Sequence, residues 1–255
     1  MSSPIHLIAI PNLPHVQPGD DVAALILHAA AAAIPLQNGD ILAIAQKIIS
    51  KAEGRQVHLT TVQPGERARK VAEATGKDPR LVELILQEST AISRMKMGVL
   101  IVRHRLGFTS ANAGIDRSNV PQNDGEETVL LLPLDPDASA RQIRQTIQVR
   151  LGIQVGVIIT DSHGRPFRMG TVGVAIGVAG VPALWDRRGE PDLYGYRLQH
   201  TDVGVADELA AAAGILMGQA SEATPVVLLR GLSYPAVENS AAQDLVRPQS
   251  LDLYQ

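Results

Sequence analysis

Short apolar runs alternate with longer amphipathic stretches along the whole chain, and the apolar runs have the length of strands. A run of four to eight apolar residues bounded by Gly, Pro, Asn or Asp is typical of a buried strand. Strands are therefore predicted at residues 6–10, 41–48, 98–104, 129–134, 155–160 and 225–232.

The amphipathic stretches predict helices. Acidic residues or proline stand at the start of several of them, as expected for helix N-termini, and Gly76 follows the end of one. Helices are predicted at residues 22–33, 66–75, 79–89, 139–151 and 205–218. Strands and helices are interspersed without a regular βαβ repeat, which indicates an α+β fold of unusual, mixed order. No linker marks a boundary, so residues 1–255 are interpreted as one domain, and a division into two interleaved subdomains stays open.

Composition narrows the possible functions. Hydrophobic residues make up 45% of the chain and aromatic residues only 3%, so the core must consist mainly of Ala, Val, Leu and Ile. The net charge is −3 and no Lys/Arg block occurs, so no nucleic-acid partner is expected. The absence of cysteine excludes disulfides, thiolate metal sites and a cysteine nucleophile. No signal-like N-terminus or membrane-length apolar run occurs, so we expect no membrane association and a cytoplasmic location.

Two aspartates follow apolar runs and are predicted to lie in loops. Asp161 comes directly after VGVIIT, and Asp116 lies in NAGIDRSN. With neutral oxygen donors such as Ser162 and Asn119, two carboxylates from separate loops suit Mg²⁺ or Mn²⁺. The alternative is that both aspartates cap turns or helices, as Asp commonly does.

Other polar residues near Asp161 also allow two interpretations. Arg165 and Arg168 are three residues apart, so on a helical turn they would share a face and clamp a phosphate or carboxylate. They could equally be solvated or form structural salt bridges. His163 is a candidate base, although a single exposed histidine usually has no such role. Lys51 could supply positive charge to a phosphate or lie on the surface.

Four glycines follow this segment, at positions 170, 173, 177 and 180. They form neither a GxGxxG nor a GxxxxGK[ST] pattern, so they support no Rossmann or P-loop site. Close backbone packing is their predicted role.

Taken together, the segments GDDVAALI, QKIISKAEGR, LVELILQES, NAGIDRSNV, LLPLDPDASA, VGVIITDSHGRPFRMGTVGVAIGVAG, DLYG and VADELAAAAGILMG closely resemble the coenzyme F420-0:L-glutamate ligase family, from about Pro11 to Gly231. The resemblance implies an intertwined α+β homodimer with its active site in a groove. It also implies GTP, L-glutamate and coenzyme F420-0 as substrates, two divalent ions (Mg²⁺ or Mn²⁺) and a K⁺ ion. The γ-phosphate of GTP would pass to a carboxylate of F420-0, and the amine of glutamate would attack the resulting acyl phosphate. GDP and phosphate would leave, and further γ-linked glutamates could follow.

The resemblance also assigns residues. Asp116 and Asp161 would hold one metal ion, Ser162 and Gln219 would contact the second, and Arg165 and Arg168 join the two aspartates in the predicted catalytic set. The guanine nucleotide would contact Pro11, Asn12, Leu13, Pro14, Gln46, Lys47, Lys51 and Asn119, and the loop Met217, Gly218, Gln219, Ala220, Ser221, Glu222, Ala223 and Thr224.

Two features depart from the family pattern. The loop after Gly218 has no further glycine that would let its backbone approach a phosphate closely, and His163 stands where an aromatic residue is expected. Two alternatives to F420-0 ligation therefore stay open. One is the same ligation chemistry on another carboxylate acceptor, and the other is a non-catalytic GTP-binding homologue.

Overall fold

A computed structural model describes residues 4–122, 127–234 and 237–252. The helices are α1 (Val22–Ala33), α2 (Gln46–Ala52), α3 (Glu66–Thr75), α4 (Pro79–Gln87), α5 (Pro136–Leu151) and α6 (Val205–Met217). The strands are β1 (His6–Ala9), β2 (Ile41–Ala45), β3 (Gln56–His58), β4 (Ser89–Lys96), β5 (Val99–His104), β6 (Thr109–Ala111), β7 (Thr128–Leu130), β8 (Gly156–Arg165), β9 (Arg168–Ala179), β10 (Trp185–Asp186), β11 (Asp202–Val203) and β12 (Val226–Arg230). This mixed order confirms the predicted α+β class.

The largest sheet has five strands in the order β1-β12-β2-β8-β9. Its β2–β8 pair is parallel, whereas β1–β12, β12–β2 and β8–β9 are antiparallel. Helices α1, α2 and α5 pack on one face and α6 on the other. Ile158 and Ile159 are fully buried on opposite faces, which confirms that the central strand has a core on each side.

A third core lies under α3 and α4, which pack against the three-stranded sheet β4-β5-β6 and the β3–β7 pair. Glu88, at the end of α4, joins this core to the segment that leads to α5. It accepts hydrogen bonds from Arg55 at 2.7 Å and from Arg105 at 2.9 Å. Arg105 in turn donates to the carbonyls of Leu134 and Pro133. Although burial alone would raise the pKa of Glu88, the neighbouring His104 and hydrogen bonds from Arg55 and Arg105 lower it to about 2.

The structure corrects three element predictions. Strand β2 ends at Ala45 and helix α2 begins at Gln46, so the strand predicted to residue 48 was too long. A short apolar run fits a helix or a strand, and Ile48 and Ile49 reach the same core from a helix. Strand β4 was missed because its residues are mostly exposed and lack an apolar face. Strand β7 ends at Leu130, short of the predicted residue 134.

A further correction concerns the segment after residue 160. Asp161, Ser162 and His163 lie within β8, which continues to Arg165 by pairing with β9, and not in a loop. Beyond Thr160 the burial of β8 alternates between half-buried and exposed, as expected for a two-stranded ribbon that extends past the core.

Candidate active site

The parallel pairing of β2 with β8 stops where β2 ends, and β8 continues beyond this point paired with β9 alone. Ala45 pairs with Thr160, so Gln46 and Asp161 follow at the same edge of the sheet. This is where open α/β sheets commonly hold ligands. The edge therefore brings together residues that are far apart in the chain.

Asp116 reaches this edge from a strained turn. Asn112, Ala113 and Gly114 have positive φ values of 53°, 55° and 66°. A non-glycine residue in this region costs of order 1 kcal/mol or more, so the surrounding structure must hold the turn in place. Asp116 itself is clamped to Leu130 by two backbone hydrogen bonds of 2.9 Å. The turn thus sets the position of the Asp116 carboxylate.

Two side chains from the start of α2 hold that carboxylate. Gln46 Nε2 donates to Asp116 Oδ2 at 2.8 Å, and Lys47 Nζ lies 3.1 Å from Asp116 Oδ1. The buried Gln46 is oriented by Ser50, whose hydroxyl donates to Gln46 Oε1 at 2.8 Å. Lys47 also donates to the Ser118 hydroxyl at 2.8 Å. Ser118 and Ser50 were not predicted, and no sequence motif marks them.

The electrostatics of the edge favour a cation. Burial raises the pKa of Asp116, the neighbouring charge of Asp161 raises it further, and Lys47 opposes both. The two carboxylates are therefore close enough to repel each other. Burial and the charge of Lys47 lower the pKa of Lys51, which lies on α2.

The carboxylate oxygens of Asp116 and Asp161 suit a hard divalent ion, but they supply only part of its coordination shell. Across residues 4–122, 127–234 and 237–252, no group of three or more His, Asp or Glu side chains is arranged to hold a metal. An ion at Asp116 and Asp161 would have to complete its shell with neutral oxygens, water or phosphate. Ser162 follows Asp161 in β8, so its side chain points to the opposite face, towards α6.

Asp161 is oriented by an aromatic stack. His163 Nε2 lies 3.0 Å from Asp161 Oδ2, within hydrogen-bond distance, and both side chains are only 11% exposed. The His163 ring contacts Phe108, which stacks on His104. His163 is thus not the exposed loop residue that the sequence suggested; it fixes the Asp161 carboxylate.

Arg165 and Arg168 do not share a helical face, which corrects that prediction. They pair across the tip of the β8–β9 hairpin, where Arg165 Nη2 donates to the carbonyl of Met169 at 3.2 Å. The prediction treated a spacing of three residues as a helical turn, but the chain reverses between them. Among the described residues neither guanidinium contacts Asp116 or Asp161.

The predicted nucleotide residues meet at the same edge of the sheet. Ile10, just before Pro11, Asn12, Leu13 and Pro14, donates to the carbonyl of Val226 at 3.0 Å. Ala45, just before Gln46 and Lys47, donates to the carbonyl of Pro225 at 2.8 Å. Strand order thus places residues 11–14, 46–51 and the end of the 217–224 loop together.

A second link joins that loop to Asp116. Asn119 Nδ2 donates to the carbonyl of Ala220 at 3.0 Å. The loop of residues 217–224 therefore contacts the segment that carries Asp116 at Ala220.

Glu222 folds back into its own loop. Its carboxylate accepts the backbone N–H of Ala220 at 2.8 Å, and the N–H groups of Ala220, Glu222 and Gln219 lower its pKa. A Cβ at Gly218, where φ is +67°, would lie 2.0 Å from the Glu222 carboxyl carbon. The glycine that follows Met217 is therefore required for this loop conformation.

The sequence that carries these features matches a known protein family. Residues 11–231, which include the whole site, match the model of F420-0:gamma-glutamyl ligase, and the chain belongs to that family. Its relatives include coenzyme F420:L-glutamate ligase of Methanothermobacter thermautotrophicus, which is 48% identical over 252 residues and covers 98% of each chain. The protein of the same name from Methanopyrus kandleri is 48% identical over 243 residues, 94% of this chain and 93% of the relative. That from Archaeoglobus fulgidus is 41% identical over 249 residues, 95% and 96% respectively. Within the described ranges, no helix has the length and apolar character needed to cross a membrane.

Proposed function

We propose that this protein is a GTP-dependent ligase that joins L-glutamate to coenzyme F420-0. The observation that carries the proposal is the convergence of Asp116 and Asp161 beside Gln46 and Lys47 at one edge of the sheet. Two neighbouring carboxylates that can hold a divalent ion, with a lysine beside one of them, suit phosphoryl transfer. The names of the relatives supply the two substrates to be joined.

The reaction has two bond exchanges. A carboxylate oxygen of F420-0 forms a bond to the γ-phosphorus of GTP, the bond from that phosphorus to the β–γ bridging oxygen breaks, and GDP leaves. The amine of glutamate then bonds to the acyl carbon, the carbon–oxygen bond to phosphate breaks, and inorganic phosphate leaves. Of the two protons lost by the ammonium group, one departs with phosphate and one passes to solvent. No protein nucleophile is needed.

The chain's own residues position these groups. Residues 11–14, Gln46, Lys47, Lys51, Asn119 and the 217–224 loop would surround the nucleotide. Asp116 and Asp161 would hold one Mg²⁺ or Mn²⁺ ion, and Ser162 and Gln219 would contact a second. When bound, these ions offset the charge on the transferring phosphate. The family resemblance adds a K⁺ ion and places Arg165 and Arg168 in the catalytic set.

The homodimer belongs to the same proposal. At the hairpin tip Phe167 is 91% and Met169 97% exposed, and Leu193 and Tyr194 are also almost fully exposed. Large exposed apolar side chains that are grouped favour an interface. Light scattering on the full chain tests this, and a monomeric mass contradicts it.

Incubation with F420-0, L-glutamate, GTP and Mn²⁺ tests the function. We expect a mass gain of one or more glutamyl units coupled to GDP release, with the rate compared in K⁺ and Na⁺. GDP release without the mass gain would point to another carboxylate acceptor. GTP binding with neither product would identify a non-catalytic homologue.

The variant Asp161→Asn tests the carboxylate pair. It removes a metal-binding charge without changing shape, so we expect turnover to fall by a factor of 100 or more (an order-of-magnitude figure for a lost electrostatic group). Circular dichroism should remain unchanged. Asp192→Asn is the matched control, because Asp192 lies in the loop after β10 and accepts only backbone N–H groups. Near-normal turnover of the Asp161 variant would remove that residue from the mechanism.

A further inference from the structure

A cavity of about 560 Å³ lies along β9, with His163 of β8 in its wall. We call it the β9-edge cavity. Its wall includes His163, Ala175, Asp137, Asp207, Arg103 and Arg247. Because β9 is the last strand of the five-stranded sheet, its outer N–H groups have no neighbouring strand. The volume lies within the range of small-molecule sites.

Two aspartates cap the free edge of β9. Asp207 Oδ1 accepts the N–H of Ala175 at 2.8 Å, and Asp137 Oδ1 accepts the N–H of Val178 at 2.7 Å. Asp137 also accepts the N–H of Ala242 at 3.0 Å. Burial raises the pKa of both carboxyl groups. Asp137 and Asp207 therefore place two partly desolvated carboxyl groups in the cavity wall.

Asp207 has no Lys or Arg partner among the described residues, and the charge of His163 opposes the effect of burial on its pKa. Within the same part of the chain, its Oδ2 atom accepts no hydrogen bond. Asp207 is half-buried, so its carboxylate is less well hydrated than an exposed one, and an ammonium ligand would stabilise its charge.

Positive charge lies where the cavity continues outwards. Arg103 and Arg247 also line an adjoining cavity of about 480 Å³. Arg103 donates to Gln249 at 3.1 Å, whereas Arg247 has no hydrogen bond or ion pair within the described ranges. Arg105, by contrast, is occupied by Glu88 and two carbonyls. Arg247 is therefore available to an anionic group.

The cavity adjoins the candidate active site through a single side chain. His163 forms part of its wall and lies 3.0 Å from Asp161. A ligand held at Asp207 would thus lie one side chain away from the carboxylate assigned to phosphoryl transfer.

We propose that the β9-edge cavity binds the amino-acid substrate, with its ammonium group on Asp207 and a carboxylate on Arg247. The proposal rests on the ligase function above and assigns the amine's entry to this side of His163. The ligand class is an α-amino acid, since the cavity offers the half-buried carboxylate of Asp207 and the available guanidinium of Arg247.

Asp207→Asn tests the ammonium contact. The amide oxygen still accepts the Ala175 N–H, so the fold is retained while the charge is removed. We expect the KM for L-glutamate to rise about 10- to 100-fold, as for a lost charged hydrogen bond, with the KM values for GTP and F420-0 within about twofold of the original. Asp135→Asn is the control, because Asp135 lines the same cavity but is exposed and caps α5 at Ala138. An unchanged KM for glutamate in the Asp207 variant overturns the proposal.

Titration calorimetry with L-glutamate and with glutarate, which lacks the ammonium group, tests the site without turnover. We expect the full chain to bind L-glutamate in preference to glutarate and Asp207→Asn to lose that preference. Equal binding of the two ligands, or no binding of either, contradicts the proposal. If ligation proceeds but the Asp207 variant behaves normally, this inference fails and the ligase function stands. If L-glutamate binds selectively but no ligation occurs, the function fails and the site stands.

Discussion

At the scale of single residues, the site depends on a backbone turn with positive φ, which residues other than glycine adopt only at a cost in free energy. The turn at Asn112, Ala113 and Gly114 directs Asp116 towards Gln46 and Lys47. The sequence pattern marks Asp116, because this aspartate stands in a polar, turn-rich segment after an apolar run. It does not mark the left-handed turn, since Ala113 carries no signal for positive φ.

Gly114→Ala should destabilise the protein and displace Asp116. A Cβ there would lie 2.7 Å from Leu132 Cδ1, in addition to the cost of its φ of +66°. We expect a loss of about 2 to 4 kcal/mol in the free energy of unfolding, combining the backbone cost with overpacking. Denaturant titration measures this, and the rate of GDP release should fall as well.

Gly189→Ala separates the cost of a positive φ from the cost of the contact with Leu132. Its φ is +84° but a Cβ would meet nothing within 4 Å, so only the backbone cost of about 1 kcal/mol applies. Equal losses in both variants would show that the contact with Leu132 is unimportant.

At the scale of elements, β9 packs closely against two helices because its glycines have no side chains. A Cβ at Gly173 would lie 2.4 Å from the carbonyl oxygen of Ala210 in α6, and one at Gly177 would lie 2.4 Å from that of Pro136 in α5. The sequence predicted this close packing from the spacing of the glycines, and the structure confirms it at these two positions. The ribbon formed by β8 and β9 was not predicted, since its polar residues resemble a loop until the partner strand is known.

Gly177→Ala should loosen the contact between β9 and α5. The overlap is with backbone atoms, which cannot move aside as a flexible side chain can. We expect the free energy of unfolding to fall by about 2 kcal/mol or more, measured by urea titration. Gly164→Ala in the same hairpin is the control, because a Cβ there meets nothing within 4 Å. A stable Gly177 variant would show that α5 can shift without cost.

At the scale of the whole molecule, charged groups join the core under α3 and α4 to the rest of the protein. The strand and helix pattern predicted most elements of the cores, but it could not predict the connection through Glu88, because its partners Arg55 and Arg105 are distant in sequence. The meeting of residues 11–14, 46–51 and 217–224 was likewise not predictable from the pattern, since strand order and not chain order brings β1, β12 and β2 together. The family resemblance, rather than periodicity, identified those residues.

Glu88 should make stability depend on acid pH. Its pKa is about 2 in the folded protein against an ordinary value of 4.5, so its contribution is complete above pH 4.5 and is lost as the pH falls towards 2. The shift corresponds to about 3 kcal/mol at neutral pH. We expect Glu88→Gln to be destabilised at pH 7 and to approach the original protein in stability below pH 3, as followed by urea titration at each pH.

Glu66→Gln is the control, since Glu66 forms an exposed pair with Lys70. A stability difference between the Glu88 variant and the original protein that stays constant from pH 7 to pH 2 would contradict the assigned pKa.

The hydrogen bond from Asn119 to the carbonyl of Ala220 has a consequence for the order of events. It ties the segment that carries Asp116 to the loop after α6, so neither can be displaced without disturbing the other. Under the proposed function, a nucleotide that settles into the loop would also fix the carboxylate that its phosphates need. Substrate binding would then be ordered, with GTP binding before F420-0.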